Sequence, residues 1–320
     1  MKVLITATKK KYMLYGATGR QMLEAKGYEL LYNESGQKRI PREELEHILP
    51  EIDAAIVSND PWNEELFCKA PKLQVIAKYG VGVDNIDCGK AKEYGIKVLT
   101  AKTGNSQAVA ELTIALILNV LRRLPMLDAQ AKQVGWYRYM GEEFCGKTLG
   151  LLGFGDIGQR VAAIAGAFGA EVVAFDPFPN REKAEQLKVD LLQMEEVLRR
   201  SDIISIHMPA LPETRHIMNR ERFSLMKDGA YFVNTARGSL VEEDALCDVL
   251  DAGKLGGAAL DVFAREPLTG EERVLHTERL ITIPHAGAET KEAYGTISRL
   301  TAQGVIDVFE GRTPANWVNP

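Results

Sequence analysis

Leu149-Gly-Leu-Leu-Gly153-Phe-Gly155-Asp-Ile-Gly158 is the stretch that decides the fold. An apolar run of strand length enters three glycines spaced Gly-x-Gly-x-x-Gly, and residues 157–168 then carry apolar side chains at helical spacing. Gly153 permits a tight turn, Gly155 lets the backbone approach a pyrophosphate, and Gly158 lets the helix lie close to the strand. The helix N-terminus adds free N–H groups and a partial positive charge for phosphates. In a chain of 28 glycines the spacing alone is weak. Its setting, strand before and helix after, gives it weight against a plain strand–turn–helix.

Asp176 follows the next strand pattern, 171–175, eighteen positions after Gly158. A carboxylate there can accept hydrogen bonds from the adenosine ribose and repels a 2′-phosphate, so NAD is expected rather than NADP. A strand-end Asp before Pro177 also serves as a turn former; the spacing from the glycines decides for the cofactor. Asp156 would repel a pyrophosphate if it pointed inward, so it is expected to face outward and offer only its backbone N–H.

Working outward, short β-branched runs alternate with amphipathic segments along the chain. Strands are expected at 3–7, 28–32, 54–57, 73–77 and 97–100, then at 148–154, 171–175, 203–207, 230–234, 257–262 and 280–283. Helices are expected at 19–26, 42–49, 63–69 and 87–94, then at 108–124, 157–168, 195–200, 220–226, 242–252 and 290–310. This alternation implies α/β architecture: two doubly wound, parallel-sheet, Rossmann-like domains with a cleft between them. The last helix is too little for a third domain, so it is expected to return to the first. The boundaries read 1–101 with 287–320, and 102–286.

The bulk numbers agree with a globular protein. Hydrophobic residues make up 46% of the 320 and charged residues 26%, and the net charge of -5 gives no reason to expect nucleic-acid binding. Cys68, Cys88, Cys145 and Cys247 form no Cys-x-x-Cys pair, so no metal site or oxidising compartment is expected, and the thiols should be reduced and mostly buried. The opening run 1–7 is too short for a signal segment. The apolar stretch 112–120 is interrupted by Asn119 and stopped by Arg122-Arg123, too short for a bilayer. A cytoplasmic protein without membrane contact is expected.

Three residues follow strand ends of the glycine-bearing domain, where such sheets line their ligand crevice. Arg237 can pair bidentately with a carboxylate. His285 titrates near neutrality, as a two-way proton carrier must. Glu266 beside an imidazole would favour its protonated form. Each also has a plain reading, as a solvated charge or a loop acid. His47, His216 and His276 look like surface positions, and His207 is either a satisfied core histidine or a lining of the cofactor site.

The sequence resembles the D-isomer-specific 2-hydroxyacid dehydrogenase family over nearly its whole length. The blocks that carry the likeness are Tyr79-Gly-Val-Gly-Val-Asp-Asn-Ile-Asp87, Gly104-Asn-Ser-Gln-Ala-Val-Ala-Glu-Leu-Thr113 and residues 146–158, followed by 201–207, 225–238, 259–267 and Pro284-His285. The resemblance implies that residues 1–101 with 287–320 form a substrate domain and 102–286 an NAD-binding domain. It implies that Arg237 binds the carboxylate and carbonyl oxygen of a 2-oxo acid, that His285 is the acid/base and that Glu266 is its partner. Asp261 would hold the nicotinamide carboxamide, with Thr235, Ala236 and Gly287 nearby. Asp156 and Ile157 would face the pyrophosphate, and the N–H groups of Val81 and Gly82 the substrate carboxylate. A homodimer is implied, with the apolar helix near residues 112–124 contributing.

Within the family the likeness is to phosphoglycerate dehydrogenase-like members, without the regulatory domain many of them carry, so serine feedback is not expected. Ile283 and Ala264 stand where a threonine and an acid are common. A phosphorylated substrate needs a far-end cation, and Lys78 and Lys9–Lys11 are candidates against an equal reading as solvated lysines. Hydroxypyruvate or glyoxylate reduction is the alternative activity, and a non-catalytic NAD(H) sensor the alternative class. Formate oxidation needs no protonating acid, and the Glu266–His285 pair speaks against it.

Overall fold

The computed structural model describes residues 1–320, which fall into two units. Met1–Asn105 with Glu289–Pro320 form one, and Ser106–Ala288 the other. The divisions come four residues after the expected 101 and two after the expected 286. Each unit is a parallel sheet with helices on both faces.

The first unit contains β1 (Lys2–Thr8), β2 (Glu29–Asn33), β3 (Ala54–Val57), β4 (Val75–Lys78) and β5 (Lys97–Leu99), in the order β2-β1-β3-β4-β5. Side chains alternate between faces with the pleat. Val3, Ile5, Ile56 and Val75 pack with Leu23 and with Ile297, Ala302, Val305 and Ile306 of the C-terminal helix Lys291–Phe309. Leu4, Ala55, Val57 and Ile76 pack on the other face with Leu45, Leu49, Leu66 and Phe67. The C-terminal helix begins at a Thr290 cap, whose hydroxyl accepts from the Ala293 N–H at 3.1 Å. It lies so close to the helix Ala17–Ala25 that a Cβ on Gly19 would collide with the Ser298 carbonyl.

The second unit has seven strands: β6 (Thr148–Leu152), β7 (Glu171–Phe175), β8 (Asp190–Leu191), β9 (Ile203–Ile206), β10 (Tyr231–Asn234), β11 (Gly257–Leu260) and β12 (Leu280–Thr282). Their order is β12-β11-β10-β9-β6-β7-β8. The chain builds from β6 towards β8 and then, from β9, towards β12. The carboxyl ends of β6 and β9 therefore flank the topological switch point, where such sheets bind ligands. The helices Ser106–Arg122 and Asp156–Ala167 cover one face, burying Ile114, Ile117 and Val120 with Val161 and Ala165.

Several local features differ from expectation. The helix expected to end at 124 breaks at Arg123, which is left-handed (φ 48°), and a separate helix, Leu124–Lys132, starts with Pro125 in its first turn. Lys9–Tyr15 is helical although three lysines at a helix start oppose the dipole. All four cysteines are free, but only Cys247 is buried; Cys88 is half-buried, and Cys68 and Cys145 are exposed. No helix is long and apolar enough to cross a membrane.

Candidate active site

At the end of β6, Gly153 is left-handed (φ 103°), and a Cβ on it would lie 2.6 Å from the His207 carbonyl group at the end of β9. A Cβ on Gly158 would strike the Gly153 carbonyl, whereas one on Gly155 would meet nothing within 4 Å. The first and third glycines are therefore fixed by close packing, and the second leaves open space for a ligand. No side chain caps the helix Asp156–Ala167, so its first N–H groups remain available. Asp156 lies on its own helix with Oδ2 3.2 Å from Arg160 Nε. Ile157 packs partly against the core beneath.

Asp176 follows β7. Its carboxylate accepts from the Phe154 N–H at 2.7 Å and from the Phe178 N–H at 2.8 Å, which ties it to the glycine turn. His207 Nε2 lies 2.9 Å from Ser205 Oγ, while Nδ1 is buried without a partner. Burial pushes its pKa down to about 4, so the ring is neutral. The open space at Gly155, the uncapped helix and the orphaned His207 nitrogen suit a dinucleotide.

Arg237, Glu266 and His285 come from three loops that follow β10, β11 and β12. Asn234, buried at the end of β10, shapes the first: its Oδ1 accepts from the Ala236 N–H and its Nδ2 donates to the Arg237 carbonyl, both at 2.9 Å. Arg237 itself donates to the Ala236 carbonyl at 2.8 Å. Thr235 is buried with its hydroxyl 2.9 Å from that of Thr113. Asn234 and Thr113 were not singled out in the sequence; a polar residue closing a buried strand and a Thr inside an apolar helix were the available signals.

His285 is left-handed (φ 53°), an uncommon conformation for a non-glycine residue that clusters at functional sites. Its N–H donates to the Asp261 carbonyl at 2.8 Å. The Asp261 carboxylate accepts from the N–H groups of Ala286 at 2.5 Å and Gly287 at 2.9 Å. Burial raises the Asp261 pKa, and those two N–H groups oppose the rise. Asp261 thus holds the backbone on both sides of the His285 ring.

Glu266 Oε2 lies 2.7 Å from His285 Nδ1, and Oε1 accepts from the Phe263 N–H at 2.9 Å. The hydrogen bond that Glu266 accepts from His285 raises the His285 pKa, against the opposing effect of burial. Burial pushes Glu266 up, but His285, the Phe263 N–H and the Arg237 charge outweigh it and leave the carboxyl below its usual range. With Nδ1 engaged, Nε2 is the nitrogen free to exchange a proton. The ring side chain remains 50% exposed, so that proton is accessible. No cluster of three or more His, Cys, Asp or Glu is placed to hold a metal ion.

Residues 114–287 match the family pattern of the D-isomer specific 2-hydroxyacid dehydrogenase NAD binding domain. The chain belongs to the D-isomer-specific 2-hydroxyacid dehydrogenase family. It is 41% identical over 284 residues to the D-3-phosphoglycerate dehydrogenase of Methanocaldococcus jannaschii, covering 88% of this chain and 54% of the relative. The chain spans about half the length of the curated relatives it matches. Among solved structures, the TT0316 protein of Thermus thermophilus is 35% identical with a TM-score of 0.89, over 99% of this chain and all of that one. The Aquifex aeolicus D-lactate dehydrogenase complexed with NAD and lactic acid is 29% identical with a TM-score of 0.85, over 100% and 99% of the two chains.

Val81, Gly82, Lys78 and Lys9–Lys11 belong to the other unit of this 2-hydroxyacid dehydrogenase family member. Val81 and Gly82 follow β4, with Val81 exposed. Lys78 Nζ is engaged by the Ser58 carbonyl and by Asn85 Oδ1. Lys9 pairs with Glu34 at 2.5 Å, and Lys11 meets both oxygens of Glu289 at 2.8 Å. Three of the lysines considered for a phosphate therefore already carry protein acceptors. His47, His216 and His276 are exposed.

Proposed function

We propose that this protein is an NAD-dependent oxidoreductase interconverting a D-2-hydroxy acid and its 2-oxo acid. The observation that carries the reading is the 2.7 Å Glu266–His285 contact, in the same unit as a glycine cradle open at Gly155. NAD, when bound, supplies or accepts the hydride. Gly153, Gly155, Gly158 and the N–H groups of Asp156 and Ile157 would hold its pyrophosphate, and Asp176 its ribose. Thr235, Ala236, His207, Asp261 and Gly287 would surround its nicotinamide end.

Arg237 binds the substrate carboxylate and polarises the oxo group. His285 delivers its Nε2 proton to the new alkoxide in reduction and removes it in oxidation. Glu266 keeps the ring oriented and stabilises the imidazolium. Residues 1–105 with 289–320 would serve as the substrate domain.

The curated relatives favour 3-phosphoglycerate and 3-phosphohydroxypyruvate as the substrate pair. The internal pairing of Lys9, Lys11 and Lys78 favours the second reading, an unphosphorylated acid such as hydroxypyruvate or glyoxylate. NADH oxidation by the purified protein against these acids and pyruvate separates them. A strong preference for the phosphorylated acid selects the first reading and the reverse selects the second. NADH binding without turnover of any would overturn the enzymatic reading in favour of a sensor.

The protein is further proposed to act in the cytoplasm as a homodimer. The helix Ser106–Arg122 turns most of its apolar residues into its own core. The support for a dimer comes from the chain after it, where Leu124, Val134, Trp136, Tyr137 and Met140 are exposed, Trp136 at 89%. Sedimentation of wild type and Trp136→Glu tests it: a wild-type monomer ends the dimer reading.

A further inference from the structure

The loop from Phe263 to Glu266 carries the acid that sets His285, and its geometry is imposed from outside. Gly238, next to Arg237, lies against the Phe263–Ala264 peptide so closely that a Cβ there would collide with it. On the helix Glu243–Asp251, Glu243 sends Oε1 to the Ala264 N–H at 2.6 Å. The peptide is thus seated on the Arg237 turn and held by a carboxylate. Glu266, two residues on, reaches back to the Phe263 N–H of the same turn.

Glu243 is half-buried in acidic surroundings, with Asp244, Glu272 and Glu266 as its charged neighbours. Burial raises its pKa, and the Ala264 N–H is the favourable contact that opposes the rise. A surface glutamate at a helix start gains from the dipole without burial. Placing this one among other acids costs free energy, and the structural return is the fixed loop.

We propose that Glu243 is a positioning residue for the acid pair: by accepting from Ala264 it fixes Glu266 against His285 and sets that loop relative to Arg237. The role rests on the assignment of Glu266 and His285 as the acid pair, and the test separates the two. The His285 titration midpoint is measured by NMR in the cofactor-free protein, alongside NADH affinity and turnover, for wild type, Glu243→Ala, Glu243→Asp and Glu243→Gln. Glutamine keeps an acceptor at the same reach; aspartate is one methylene short.

The expected result is a lower His285 midpoint in Glu243→Ala and Glu243→Asp, with kcat down roughly tenfold to a hundredfold, NADH affinity unchanged, and Glu243→Gln close to wild type. Wild-type midpoints and turnover in Glu243→Ala and Glu243→Asp overturn the proposal, as does a Glu243→Gln variant as impaired as Glu243→Ala. If Glu243→Ala fails to fold, the aspartate and glutamine variants decide by the same readings. A wild-type protein that turns over no 2-oxo acid defeats the catalytic reading, while the NMR midpoints still decide the positioning role.

Discussion

The hydroxyls of Thr113 and Thr235 are 2.9 Å apart, and their hydrogen bond has one direction. Thr113 already donates to the Val109 carbonyl at 2.8 Å, so the shared proton must come from Thr235. Thr235 is left with lone pairs alone to offer a ligand. An acceptor there, with the Asp261 carboxylate, suits the amide N–H groups of nicotinamide.

Thr113→Val should therefore free the Thr235 proton and weaken NADH binding, by about 1 kcal/mol or roughly fivefold in Kd. The 3-acetylpyridine analogue, which has no amide N–H, should lose little. Fluorescence titration of both cofactors checks this; equal losses would remove Thr235 from the carboxamide contact.

His285→Ala should lower turnover by about two to four powers of ten, the range for a lost general acid. NADH affinity should hold, because His285 has no part in the glycine cradle. A variant retaining most of its turnover would show that another group carries the proton.

Reduction needs protonated His285, so kcat/KM for a 2-oxo acid should be high at low pH and fall as pH rises through the His285 midpoint. Oxidation should rise through the same midpoint. Because Glu266 raises that pKa, the midpoint should lie above the ordinary 6.5. Glu266→Gln should bring it down. His285's contribution to stability follows the same sign, present below its unfolded-state pKa and lost as pH rises through the folded one, whereas that of Glu266, whose pKa is lowered, is lost as pH falls through its folded value. Rate profiles of wild type and Glu266→Gln that superimpose would contradict the Glu266 role.

Asp176→Ala should raise the use of NADPH relative to NADH, since the charge opposing a 2′-phosphate is gone. It should also cost about 1–3 kcal/mol of stability, because the Phe154 and Phe178 N–H groups lose their acceptor. Cofactor-specific kcat/KM and a denaturant melt read the two effects separately. An unaltered cofactor ratio would remove the ribose role.

Gly238→Ala should destabilise the protein by about 1–3 kcal/mol through overpacking against Phe263 and Ala264. Turnover should fall beyond what the unfolded fraction explains, since the displaced peptide carries the turn that holds Glu266. Thermal unfolding beside kcat on the folded fraction checks both.

The glycine turn was legible in the sequence because it is a backbone requirement: close approach at Gly153 and Gly158 admits few other residues. Strands of the second unit were legible for a similar reason. Buried parallel strands are short apolar runs, and β7, like β3 of the first unit, occupies the expected residues. The two-residue edge strand β8 has too few side chains to show a pattern. Glu243 could not be read because it is an ordinary helix residue, and the Thr113 signal, a polar residue in an apolar helix, does not say what stands across from it. The lysines show the same limit in reverse: their charge is visible in the sequence, but Glu34, Glu289 and Asn85, which occupy it, are not.

The C-terminal helix gives the protein an order of assembly. Val3, Ile5 and Val75 complete their packing only with Ile297, Ala302 and Val305, so the first sheet to leave the ribosome lacks one cover until residue 309 has emerged. The intervening unit, Ser106–Ala288, has its own core and every strand of its sheet available earlier. Where the N-terminal unit of a chain usually folds first, this connectivity would let the intervening unit complete its core ahead of the first. A nascent chain stalled after residue 288 would present the dinucleotide-binding unit folded beside an open apolar sheet, the natural target of a chaperone.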